Sequence, residues 1–172
     1  MHYGDNKPKY IRYSIYSAII LIAFALQSTS VAFPEIFGAR AFLLVCVAIS
    51  IAMHEREIPA AIFGAACGIL ADTAAGLEGF NALVLTILCA VCSILISHLM
   101  QNNIVTAFVL SAGATVIYEV LYVIVNYCIS IGIVPWRQIF TFYLPSFVYT
   151  LIFVPVFYYV IKKVFTAYKT EQ

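Results

Sequence analysis

The sequence predicts an all-α integral membrane protein, with six transmembrane helices forming one domain over residues 1–172. Three observations predict it. The chain is 64% hydrophobic and 10% charged, with a mean hydropathy of +1.01, whereas soluble domains are roughly 45–50% apolar and about 25% charged. Its apolar residues fall into runs that approach the roughly 20 residues a bilayer core demands of a helix. Its basic residues are shared unevenly among the connections between those runs. The formal net charge of +1 offers nothing to a nucleic acid or other polyanion.

The candidate helices are 11–29, 36–53, 58–75, 80–99, 104–131 and 139–161. The first ends in the polar "QSTS" and has no small-residue cleavage site, so it reads as an uncleaved helix rather than a signal peptide. Tyr10, Tyr13 and Tyr16 near its start fit an interfacial belt, as does Trp136 before the sixth helix. The second follows Arg40. The third carries Asp72 among many small residues. The fourth, "FNALVLTILCAVCSILISHL", holds no formal charge apart from a possible one on His98. The fifth contains Glu119 in "ATVIYEVLYVIV", and the sixth leads into Lys162 and Lys163. The connections are short, as in "QNN" at 101–103, and leave no room for a conventional catalytic or nucleotide-binding module.

Charge distribution decides whether the third segment crosses. With six spans, Lys7, Lys9, Arg12, Arg56, Lys162, Lys163 and Lys169 lie on one side and Arg40 and Arg137 on the other. If the third segment failed to cross, the three C-terminal lysines would change sides and the bias would vanish. The positive-inside rule therefore places both termini in the cytoplasm.

All five cysteines, Cys46, Cys67, Cys89, Cys92 and Cys128, lie inside apolar runs, which makes reduced packing residues the first expectation. Cys89 and Cys92 form a C-x-x-C pair without histidines or a second pair nearby. No metal site, cofactor site, Gly-rich phosphate loop or catalytic set is expected.

The stretch "GAACGILADTAAGLEG", residues 64–79, is the most informative. Gly64 and Gly68 make a small-xxx-small pair flanked by alanines, a face that lets another helix approach closely in lipid. At 100° per residue, Asp72 has drifted only about 80° around the helix from Gly64, so it points into protein. Asp72 lies about 21 Å along its helix and Glu119 about 22 Å along its own, so the two carboxylates share a level. Intramembrane acids are costly and face a bundle interior or wet cavity. Three readings follow: a polar cluster tying helices together, a docking site for a partner or ligand, or a proton- or ion-coupled site. Arg40 and Arg137 are the basic residues within reach of either acid. Gly76 and Gly79 permit a tight reversal into the fourth helix.

"GAACGILADTAAGLEGFNALVLTIL" resembles the G-x-x-x-G-x-x-x-D…G-x-x-x-L signature of the rod shape-determining protein MreD family, with Gly64, Gly68, Asp72, Gly79 and Leu83 at the motif positions. "LPSFVYTLIFVPVFYYVIKKVF", residues 144–165, is similar to that family's proline-bearing last helix and basic end. The resemblance implies a non-enzymatic, multi-pass subunit of the bacterial cytoplasmic membrane. Such a subunit pairs with MreC, a single-span protein, and so links the MreB filament to peptidoglycan synthases. It also implies a fold like the substrate-binding subunits of energy-coupling-factor vitamin transporters, and such a subunit is the alternative function. Against that alternative, "SAIILIAFALQST" lacks the A-x-x-x-A pattern expected for docking on a coupling subunit.

Overall fold

Apolar runs become helices because a helix satisfies its own backbone, and six form among the residues that the computed structural model describes: 7–28, 42–75, 79–99, 102–125 and 144–168. They are α1 (Lys7–Ser28), α2 (Leu43–Ala52), α3 (Glu57–Ala75), α4 (Phe80–His98), α5 (Ile104–Val123) and α6 (Leu144–Ala167). No strand occurs among the described residues. All except α2 are long and apolar enough to cross a membrane. Successive helices alternate in direction, so the starts of α1, α3 and α5 share one end of the bundle, called proximal here. The starts of α2, α4 and α6 share the distal end.

Each long helix buries one stripe at helical spacing and exposes apolar side chains elsewhere. On α1 the stripe is Arg12, Tyr16, Ile20 and Ala23; on α6 it is Ser146, Thr150, Val154, Tyr158 and Ile161. Leu21, Ile62, Ile69, Leu83, Ile87, Val109 and Ile152 point outward, a surface suited to lipid and hostile to water.

α2 departs from expectation. The predicted run 36–53 is helical only from Leu43 among the described residues, with Phe42 as a non-helical N-cap. At 10 residues it spans about 15 Å, half a bilayer core. Every one of its residues is buried, and α1, α3, α4, α5 and α6 all pack around it. It is the hydrophobic centre of the bundle, so its hydropathy reports protein contact rather than lipid contact.

Smaller corrections have local causes. α1 begins at Lys7 rather than 11, because Pro8 is welcome in a first turn whose N–H groups have no intrahelical acceptor. Tyr16 does not belong to an interfacial belt: it is fully buried, edge-on to Phe63. α6 runs past 161 to Ala167, since Ile161 continues the buried stripe while Lys162 and Lys163 extend outward. Pro155 sits inside α6 and removes one backbone donor there. α5 is helical to Val123, and 126–131 lie outside the described residues.

α3 and α4 form the most intimate pair. A Cβ on Gly68 would lie 2.3 Å from the Ala82 Cα, and one on Gly64 would lie 2.7 Å from the Leu85 carbonyl oxygen. Both neighbours are backbone and cannot rotate away. Gly113 on α5, by contrast, has nothing within 4 Å of an added Cβ. Gly68→Ala should therefore lower the thermal midpoint in detergent, at a cost of about 1–3 kcal/mol or more for overpacking. Gly113→Ala should be neutral or slightly stabilising, because alanine favours a helix over glycine. Equal midpoints for the two variants would disprove the close contact at Gly68.

Candidate functional site

Two polar constellations occupy the two ends of the bundle. The distal one answers why an acid sits in α3. α4 begins at an N-cap, Gly79, whose φ of 81° is left-handed and favours glycine. Glycine has no side chain with which to cap the orphan N–H groups of the first turn. Asp72 supplies the missing cap from the neighbouring helix. Its Oδ1 accepts from the Asn81 N–H and its Oδ2 from the Ala82 N–H, each at 2.9 Å. A carboxylate at a helix N-terminus also meets the positive end of the macrodipole. Gly68 is what allows the approach, since its missing Cβ would stand where Ala82 stands.

α5 joins through the same residue. The Tyr118 hydroxyl donates to the Asn81 Oδ1 at 2.9 Å, and the Tyr118 ring lies edge-on to Phe42. Tyr122 of α5 meets Phe80 of α4. Glu119 therefore shares the level of this cluster, as its position along α5 implies. No hydrogen bond or ion pair links it to Asp72 among the described residues. Glu119 is half-buried and its Oε1 is buried without a hydrogen bond among them. Leu83 points outward. Arg40, Arg137 and Gly76 lie outside the described residues, as does Cys128. Cys46, Cys67, Cys89 and Cys92 are free and buried, and Cys89 packs where a Gly64 side chain would be.

The proximal constellation was not anticipated. Arg12, one turn into α1, reaches the carboxylate of Glu55 in the connection after α2. Its Nη2 donates to Oε2 at 3.0 Å, and its Nε lies 2.8 Å from Oε1. Both side chains are buried. The guanidinium lies over the Phe165 ring of α6, 5.0 Å from its centroid, and near Tyr13. Burial holds the Glu55 carboxyl above its ordinary range, with Arg12 pulling the other way. His54 stands beside Tyr158 and Phe165, with Nδ1 2.9 Å from the Ser50 carbonyl oxygen. Burial lowers its pKa, the Ser50 carbonyl opposes that shift, and Lys162 adds to it.

The same cluster closes the end of α2. Asn102 Nδ2 donates to the Met53 carbonyl and Ser93 Oγ to the Glu55 carbonyl, both at 2.8 Å. Tyr158 donates in turn to Asn102. At the opposite end of α2, Gln27 Oε1 accepts from the Leu44 N–H and Thr150 Oγ1 from the Phe42 N–H. Each arrangement joins a side chain of one helix to the exposed backbone of another. Their chemistry is that of positioning. Among the described residues, no group of three His, Cys, Asp or Glu side chains could hold a metal ion.

A signal for the proximal site existed in the sequence: Arg12 lies a turn inside an otherwise apolar helix, and "MHERE" carries two acids at the expected end of the second helix. The 43-residue separation hid the pairing. Compared with family models, curated proteins and solved structures, the chain finds no match.

Two predictions follow from the geometry. Asp72→Asn keeps one acceptor and turns an amide donor toward a backbone donor, so it should cost about 1–2 kcal/mol, the range of a lost N-cap. Asp72→Leu removes both acceptors and should cost more. Thermal unfolding in detergent should rank wild type above the Asn variant and the Asn variant above the Leu variant; an unchanged Leu variant contradicts the cap. Arg12→Met or Glu55→Met alone strands a buried charge, at about 3–5 kcal/mol, while the double Met variant should recover most of the loss. Additive losses in this cycle would mean that the pair does not interact.

Proposed function

We propose that this chain is a multi-pass subunit of a bacterial cytoplasmic membrane, with both termini inside, that acts as MreD-family proteins do. In this reading it pairs with an MreC-like single-span protein and connects an MreB-like filament to peptidoglycan synthesis, maintaining rod shape without catalytic turnover. The observation that carries the reading is the mutual dependence of Gly64, Gly68, Asp72 and Gly79. Spacing of this kind would be arbitrary in a generic apolar helix. Here each member has a distinct task in one joint: close approach, cap, and left-handed turn. A motif whose purpose is to set the angle between two helices suits a protein that holds partners in position. The five long apolar helices support insertion in a membrane.

The test is complementation of a rod-shaped bacterium depleted of its own MreD. Expression of this chain should restore rods and retain the MreC protein on affinity purification. Asp72→Asn should restore rods in part and Asp72→Leu should leave rounded cells, following the order of the cap's strength. Failure of the wild-type chain to restore shape or bind MreC, together with retention of a vitamin through purification, would favour the transporter-subunit alternative.

A further inference from the structure

α6 carries a surface that neither constellation uses. Near its proximal end lies a shallow groove of about 570 Å³ lined by Tyr159, Lys162, Lys163, Thr166 and Ala167. Among the described residues, no acidic side chain lines it. Glu55, the buried acid at this end, is committed to Arg12. The Lys162 ammonium is steadied over the Tyr158 ring, 5.5 Å from its centroid. The Thr166 hydroxyl donates to the Lys162 carbonyl, so the two ammonium groups are the cationic donors that line the groove.

The groove does not stand alone. Val148, Ile152, Val156 and Tyr159 are all more than half exposed, and at 100° per residue they share one face of α6 with Lys163. From Val148 to Lys163 that face is about 22 Å long, inside the roughly 30 Å of a hydrocarbon core and long enough to lie along one acyl chain. An apolar strip that ends in two cations matches an amphiphile with an anionic head.

We infer that the Lys162–Lys163 groove of α6 is a binding site for an anionic phospholipid, whose phosphate meets the two ammonium groups while an acyl chain lies along Val148, Ile152, Val156 and Tyr159. The inference needs the chain to reside in a membrane and is independent of any role in cell shape. Basic residues at a membrane surface attract anionic lipid in general. What distinguishes a built site is that other exposed basic residues at the same end, such as Arg56, do not share it.

The experiment is lipid titration of the purified full chain in detergent, with bound lipid counted by native mass spectrometry. Phosphatidylglycerol, phosphatidylcholine and inorganic phosphate are the three probes. Phosphatidylglycerol should bind at least fivefold more tightly than phosphatidylcholine, and added phosphate at equal concentration should not displace it. Lys162→Gln/Lys163→Gln should abolish the preference, Lys162→Arg/Lys163→Arg should keep it, and Arg56→Gln should leave it unchanged. Equal binding of the two lipids, ready displacement by phosphate, or an equal loss in the Arg56 variant would each overturn the site.

Discussion

The bundle depends on one constraint: a helix end surrounded by apolar material must have its backbone groups satisfied by protein. A helix leaves four N–H groups and four carbonyls without intrahelical partners, and lipid offers none. This fold meets that demand by lending side chains across helices. Asp72 of α3 caps α4, Gln27 of α1 and Thr150 of α6 cap the start of α2, and Asn102 and Ser93 donate to the carbonyls of Met53 and Glu55 just after its end. Each loan fixes two helices at once. The polar residues of an apolar chain are thus the ones that define which helix neighbours which, while the apolar residues fill the space between.

α2 shows what the constraint permits. A helix of 10 residues would be a poor span, because its ends would be stranded within the hydrocarbon. Placed at the centre, with neighbours on all sides and its termini capped, it needs no greater length. The Cys46 thiol adds a further tie to the Thr150 carbonyl at 3.3 Å. The packing follows from this. Small residues on α3 and α4 close one flank tightly, while Leu43, Leu44, Ile49 and Ile51 present fully buried bulk to the others.

These two examples separate what the sequence made legible from what it did not. α4 was readable to within a residue because an uncharged apolar run bounded by glycine and a polar end has one interpretation. The inward direction of Asp72 followed from its angle to Gly64, a purely helical argument. Its acceptor role did not, because the partners are the backbone N–H groups of Asn81 and Ala82, which carry no residue-type signal. The break at Phe42, where α2 begins, went unread because hydropathy is the same for a side chain against lipid and one against protein. Tyr16 was misplaced for a related reason: an aromatic near a helix start suits an interface, and it is packing against Phe63 of α3 that makes the position interior.

The proximal ion pair poses the converse question, why two charges are buried where apolar residues would pack as well. An ion pair of this kind is weak evidence for stability, since desolvation offsets much of the attraction. Register offers a better account. Along α1, Arg12 and Gln27 are 15 residues apart, about 22 Å. The groups they grip on the α2 segment, Glu55 and the Leu44 N–H, are separated by 11 residues, about 16 Å if helical throughout. The two side chains must lean toward each other to hold both ends. A slide of α1 by one turn, about 5.4 Å, would relax one contact only by breaking the other. The apolar stripe of Ile20 and Ala23 between them carries no directional bond to mark one position along α2. The two long polar side chains do. On this argument the buried charge is retained because it allows α1 a single position along α2, and through Phe165 over the same guanidinium it fixes α6 as well.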